Sequence, residues 1–321
     1  MKEIVMPGID IKIPVIGFGC SGLTGTNRKN AVRLLETAFD AGVRHFDVAR
    51  YYGYGEAEGI LSTLVKSHRQ EITITTKFGI QPPRRTGVLH MALRLGRRFL
   101  RLMPSARTFV QQRTKAFVTT GAFGVDDARQ SLETSLRELE TDYVDFYLLH
   151  DYAVADCLSD ELMRFLEESV TIGKIRYFGI GTGIENVLHA MECQPELCKV
   201  VQFENSVLRQ NKNRMPQQSN QLVVTHGSLG ASYSSVVSFL KTHPVTMKLW
   251  SKKLGADCSI NDTIAALMLN YAVDANRDGL VLFSSKKSER VTKNVKAVLQ
   301  PSVSSEQVAL FAQLVEQESP A

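Results

Sequence analysis

The sequence predicts an α/β fold, a single (β/α)8 TIM barrel with an N-terminal β-hairpin and a long insertion after strand 3. Three observations predict it. Apolar, β-branched runs alternate about eight times with amphipathic helical stretches, the pattern of parallel strands covered by helices. The length of 321 residues is long for an ordinary domain and normal for one barrel. Three successive strand-like runs close on polar residues, and a barrel carries its functional groups at the C-terminal ends of several strands. No linker or composition break divides the chain, so residues 1–321 read as one domain with a basic insertion at 80–124.

The elements follow in order. "EIVM" and "IKIP" flank "PGID" and read as a hairpin. "IPVIGFG" (13–19) reads as a strand, and "RKNAVRLLETAFDAG" as a helix capped by Asn27 and stopped at Gly42. "RHFDV" is a strand, "EAEGILSTLVKS" a helix and "EITITTKFG" a strand. After a gap, "GVDDARQSLETSLRELE" carries Leu132, Leu136 and Leu139 on one helical stripe. Strand "DYVDFYLLH", helix "DELMRFLEESVTIG", strand "IRYFGIG" and helix "IENVLHAME" come next. "CKVVQFE" and "NQLVVTH" are strands, "NDTIAALMLNYAVD" is a helix, "GLVLFSS" a strand and "KSERVTKNVKAVL" a helix.

An open doubly wound sheet competes with the barrel at one point. "GFGCSG" (17–22) matches the glycine pattern of dinucleotide-binding sheets. In that fold the helix opens inside the motif and meets the pyrophosphate. Here "TGTNRKN" delays the helix, which favours the barrel.

Bulk properties narrow the function classes. No run of 18 or more apolar residues occurs, so no helix is expected to span a membrane. "MKEIVMPGID" lacks the layout of a secretory signal. The five cysteines at 20, 157, 193, 198 and 258 are scattered without a CxxC pair, which points to reduced thiols and a cytoplasmic protein. Residues 80–124 hold nine of the 38 Lys and Arg and no Asp or Glu, so the net charge of +5 is a local basicity on an otherwise slightly acidic chain.

The polar strand ends make one constellation. "RHFDV" ends near Asp47, with Tyr52 in the next loop. "EITITTK" ends at Lys77 and "DYVDFYLLH" at His150. Neighbouring strands in a barrel would let these four converge. A phenol is a weak acid, with a reference pKa of about 10. A nearby ammonium stabilises phenolate and lowers that value. Burying the ammonium requires a counter-charge, which Asp47 supplies. Such a tyrosine could give a proton to a carbonyl oxygen as a hydride reaches the carbon, with the histidine bonding the same oxygen. No zinc-ligand spacing and no serine elbow occur, and no metal is expected. Each residue also has a plainer use, as a loop cap, a core aromatic, a surface lysine or a strand-end histidine satisfied by backbone.

At these residues the sequence resembles the aldo-keto reductase family. "HFDVARYYGYGEAEGILS", "TTKFG" and "SLETSLRELETDYVDFYLLHDY" resemble its acid–tyrosine, lysine and histidine segments, and "GKIRYFGIG" and "FSSKKSERVTKNV" two later motifs. The resemblance covers 13–79 and 125–298 and stops across 80–124. It implies a barrel that binds NADP(H) in an extended pose, with NAD left open. It implies that Tyr52 is the general acid/base, Lys77 and Asp47 its tuning pair, and His150 the carbonyl orienter. Gln202 in "VVQFE" matches the glutamine that holds the nicotinamide amide. Ser285, Arg290 and Asn294 match positions that hold the 2′-phosphate and adenine. Three positions depart from the pattern. Gly181 and Thr182 stand where Ser-Asn is usual. His226 stands where an aromatic usually stacks on nicotinamide. Ser284 replaces a basic residue, with Lys286 or Lys287 as substitutes.

The resemblance implies a small carbonyl or alcohol substrate, with a sugar-like aldehyde favoured by "DVARYYGYGEAE". A second reading is a cofactor-bound sensor with little turnover, as in the potassium-channel β-subunit branch of that family. The stretch "GVLHMALRLGRRFLRLMPSARTFV" puts Val88, Leu89, Leu93 and Leu100 on one helical face and Arg94, Arg97, Arg98 and Arg101 on another. It reads as a lid over the barrel mouth, as a contact for a membrane surface or acidic partner, or as an excursion without a role. No nucleic-acid recognition motif accompanies it, and no nucleic acid is expected.

Overall fold

The computed structural model describes residues 3–6, 9–82, 121–153, 158–216 and 221–318. The basic stretch 83–120, with the lid and surface-contact readings attached to it, lies outside the described residues.

β1 (Glu3–Met6) and β2 (Ile9–Pro14) pair antiparallel, with Glu3 opposite Pro14 and Ile4 opposite Ile13. Ile4 and Ile13 are buried in the same core as the barrel. The run 13–19 is two strands rather than one. Its first residues complete the hairpin, and only Ile16–Gly19 (β3) enters the barrel. Proline has no N–H to carry the ladder onward at position 14, which suits a break there.

The remaining strands are β4 (His45–Asp47), β5 (Thr73–Phe78), β6 (Val144–His150), β7 (Ile175–Gly181), β8 (Val200–Glu204), β9 (Leu222–His226) and β10 (Leu280–Phe283). With β3 they close into an eight-stranded barrel in which β10 pairs with both β3 and β9, all in parallel. Closure settles the contest over "GFGCSG". Gly17 packs at the barrel interior, where a Cβ would sit 2.8 Å from the His45 ring and 2.9 Å from Leu282. The following residues form a short 3-10 turn, Cys20–Gly25, and the first helix opens only at Arg28.

Ten helices follow among the described residues: α1 (Arg28–Asp40), α2 (Ala57–His68), α3 (Val125–Leu139), α4 (Asp160–Thr171), α5 (Ile184–Cys193), α6 (Ala231–Thr242), α7 (Pro244–Leu254), α8 (Asn261–Ala275), α9 (Ser288–Leu299) and α10 (Ser305–Glu318). Asn27 caps α1 by accepting from the Asn30 N–H at 2.8 Å, as its position predicts. Helices α6, α7 and α10 are additions to the sequence reading. They join α8 around Trp250 and Phe311, whose rings meet edge to face at 6.0 Å, in a second apolar cluster.

Side chains alternate along each strand, so every second residue faces the lumen. In the lumen, the fully buried His45 ring contacts the Thr73 hydroxyl at 2.9 Å and the Thr75 hydroxyl at 3.2 Å. Facing outward from β5, Thr76 donates to buried Glu58 of α2 at 2.7 Å, and Phe78 stacks on Tyr147 at 4.7 Å. These contacts fix β5, and with it the residue between them, Lys77.

Candidate active site

Strand register brings the polar strand ends to one rim. Asp47 lies opposite Gly19 and Thr75, Lys77 opposite Leu148, and His150 opposite Gly181. Gly181 in turn faces Gln202, and Glu204 faces His226. Asp47, Tyr52, Lys77, His150, Gly181, Thr182, Gln202 and His226 all line one cavity of about 490 Å³.

The centre of the cavity floor is an ion pair. Lys77 Nζ donates to both carboxylate oxygens of Asp47, at 2.6 and 2.7 Å, and to the Val48 carbonyl at 3.2 Å. Both side chains are almost wholly buried. Gln202 Nε2 reaches Asp47 Oδ2 at 3.1 Å from across the barrel. Tyr52 opens a 3-10 turn, Tyr52–Gly55, anchored by its N–H to the Ala49 carbonyl at 2.9 Å. That turn requires a glycine next. Gly53 has φ +60°, and a Cβ there would lie 2.0 Å from Thr24. The Tyr52 ring meets the His150 ring edge to face at 6.0 Å, and Lys77 Nζ lies 5.3 Å from the Tyr52 ring centre. The four residues thus converge as their spacing and the topology predict.

Their electrostatics differ from the sequence expectation. Burial pushes the Tyr52 phenol well above its ordinary value, and the Asp47 charge pushes the same way. Lys77 does not reverse this, because Asp47 neutralises it at contact distance. The phenol is therefore held as a neutral O–H. Burial, then the charges of Lys77 and His226, push His150 down to about 3, so its ring is neutral around pH 7. The His150 Nδ1 is buried without a partner among the described residues.

One buried acceptor points to a nicotinamide-type amide. Gln202 Oε1 has no partner among the described residues, although the side chain is 4% exposed and its Nε2 is engaged. A carboxamide N–H₂ would satisfy it. Gly181 sits close by, with its ideal Cβ position 3.4 Å from that oxygen. The Thr182 hydroxyl lies 3.2 Å from Asn186 Nδ2, which donates to it. His226 is exposed and forms part of the cavity wall.

The other three sequence candidates do not line the cavity. Ser285 lies in the β10–α9 connection, where its hydroxyl accepts from the Lys287 N–H at 3.1 Å. Arg290 and Asn294 stand one turn apart on α9, Arg290 exposed and Asn294 buried. Lys286, rather than Ser284, supplies a basic group toward the β3 loop. Its Nζ lies 3.2 Å from the ideal Cβ position of Gly25. The cavity also includes Asp151, Glu204 and Ser228, which sequence reasoning did not single out. The signal for Asp151 was present, since it directly follows His150.

Residues 15–316 match the model of the Aldo/keto reductase family. The chain belongs to that family. Among its relatives, the Bacillus subtilis (strain 168) protein named "Uncharacterized oxidoreductase YqkF" is 27% identical over 188 residues, covering 59% of this chain and 51% of the relative. The match thus spans about half the length of that relative. Two solved structures share the fold. One is the holo form of the aldo-keto reductase AKR11C1 from Bacillus halodurans, with a TM-score of 0.72 at 23% identity, covering 98% of this chain and 96% of the other. The other is an aldo/keto reductase from Klebsiella pneumoniae in complex with NADP and acetate, with a TM-score of 0.66 at 20% identity, covering 100% and 97%. Among the described residues, no helix of this aldo/keto reductase is long and apolar enough to cross a membrane.

Proposed function

We propose that this aldo/keto reductase interconverts an aldehyde or ketone with its alcohol, using NADP(H). The observation that carries the reading is the buried Asp47–Lys77 pair beside Tyr52 and His150 at one end of the barrel. When bound, the nicotinamide supplies or accepts the hydride. Tyr52, kept protonated by burial, donates its phenolic proton to the substrate oxygen during reduction and takes it back during oxidation. The phenolate left after donation lies beside the Asp47–Lys77 pair, with Lys77 Nζ 5.3 Å from its ring centre. Neutral His150 hydrogen-bonds the substrate oxygen and holds it against Tyr52. Gln202 would hold the cofactor's carboxamide through its free Oε1.

Ser285, Arg290 and the α9 N-terminus form the phosphate end, with Lys286 closing it from the side. A helix N-terminus and a guanidinium both favour a phosphate, which supports NADP over NAD. The Klebsiella pneumoniae structure with NADP is consistent with that choice.

The test is a steady-state screen of small aldehydes and ketones with NADPH and with NADH, following loss of reduced nicotinamide. The reading predicts turnover that is faster with NADPH. Tight cofactor binding without turnover across the panel would contradict it and favour the sensor reading.

A further inference from the structure

The walls of the cavity carry an uneven charge. Among the described lining residues Lys77 is the sole Lys or Arg, and Asp47 neutralises it. Two more carboxylates, Asp151 and Glu204, line the same cavity. Glu204 is paired with exposed Arg209 at 2.5 Å. The Asp151 carboxylate has no ion-pair or hydrogen-bond partner among the described residues, and it is exposed to the cavity.

Asp151 is also held in an unusual backbone state. Its φ is +60°, one of two positive values among the described non-glycine residues. Its N–H donates to the Gly181 carbonyl at 2.7 Å, so the β6–β7 ladder continues one residue past His150 and then turns sharply. Strained positions of this kind concentrate at functional sites. The turn delivers the carboxylate beside the residue that faces the substrate oxygen. A second unspent polar group lies in the cavity, since Ser228 Oγ is buried at 1% exposure and lacks a partner among the described residues. Among the described residues, the basic side chains Lys286, Lys287 and Arg290 do not line the cavity, while the carboxylates Asp47, Asp151 and Glu204 do.

We propose that Asp151, with Glu204, sets the charge class of the substrate: the site takes uncharged, hydroxyl-bearing carbonyl compounds and rejects those with a carboxylate or phosphate. This inference rests on the carbonyl-reduction reading and deepens it. The carboxylates accept hydrogen bonds from substrate hydroxyls. An anionic substituent meets the like charge of Asp151, the lining carboxylate left without an ion-pair partner among the described residues, and is repelled.

The test compares matched pairs with NADPH: glyceraldehyde against its phosphate ester, butanal against succinic semialdehyde, and glyceraldehyde against propanal. The expected kcat/KM ratio of uncharged to anionic is about tenfold or more at low salt, and it narrows as salt screens the charges. Glyceraldehyde is expected to exceed propanal. Asp151→Asn, which tolerates the same backbone, is expected to narrow the charge ratio severalfold. Asp151→Gly, which accepts φ +60° without strain, is expected to do the same, and it serves if the asparagine variant folds poorly. Equal or better use of the anionic partners overturns the proposal, as does a ratio unchanged in both variants. Turnover without charge preference overturns this inference alone. No turnover on any compound overturns the carbonyl-reduction reading with it.

Discussion

Lys77 Nζ grips both carboxylate oxygens of Asp47, at 2.6 and 2.7 Å, although the two residues lie 30 apart in sequence. Parallel pairing of β4 with β5 puts Asp47 opposite Thr75, and Lys77 is the next residue on the same face of its strand. Breaking such a pair by removing one partner leaves a buried charge. Lys77→Met should therefore cost about 3–5 kcal/mol, while Asp47→Asn combined with Lys77→Met should recover part of that. Urea unfolding of the single and double variants measures both. Additive losses in the double variant would show that the pair does not act as a unit.

His45 should make the fold sensitive to acid. Burial, then the charge of Lys77, lower its value to about 3, against an ordinary 6.5. Between those values the unfolded chain binds a proton that the folded chain does not. Stability therefore rises with pH through this window and falls as pH drops below 6.5. At pH 5 the loss from this residue is about 2 kcal/mol relative to pH 7. His45→Gln should flatten the pH dependence of the urea midpoint between pH 7 and 5. An unchanged slope would contradict the assignment.

Gly179 marks where β7 and β8 press together. A Cβ there would lie 1.9 Å from the Val200 carbonyl oxygen, which is backbone and cannot swing away. Gly179→Ala should cost about 3 kcal/mol or more. Gly181→Ala, two residues on, meets its nearest atom at 3.4 Å and should melt close to wild type. Thermal unfolding of the pair measures the contrast, and equal midpoints would refute it.

Gln202 links the floor of the site to the proposed carboxamide contact. Gln202→Leu removes the free acceptor and the bond to Asp47 Oδ2. A lost hydrogen bond of about 1 kcal/mol predicts NADPH affinity weaker by about fivefold to tenfold, read by titration calorimetry. Unaltered affinity would assign Gln202 to the ion pair alone.

Much of this was legible in the sequence, for particular reasons. Asp47, Lys77 and His150 stand near the ends of apolar runs, and parallel strands in register turn such ends into one rim. Gln202 was legible from its resemblance to a family motif. The state of Tyr52 was not legible, because it depends on how deeply the ring is buried and on how completely Asp47 cancels Lys77. Helices α6, α7 and α10 escaped because they serve the second apolar cluster rather than a β/α repeat, and α6 begins with a serine-rich turn. Lys286 was named with Lys287 as a substitute basic residue, but the surface it meets was not legible, since that surface is a 3-10 turn more than 250 residues earlier in the chain.

The central claim is that the Tyr52 hydroxyl carries the proton. Its most direct test is Tyr52→Phe, which keeps the ring that meets His150 and deletes the oxygen. Single-turnover reduction of a carbonyl substrate by the NADPH-loaded variant should slow by about 10²–10⁴-fold, with NADPH affinity near wild type. A rate within a few-fold of wild type would contradict the claim.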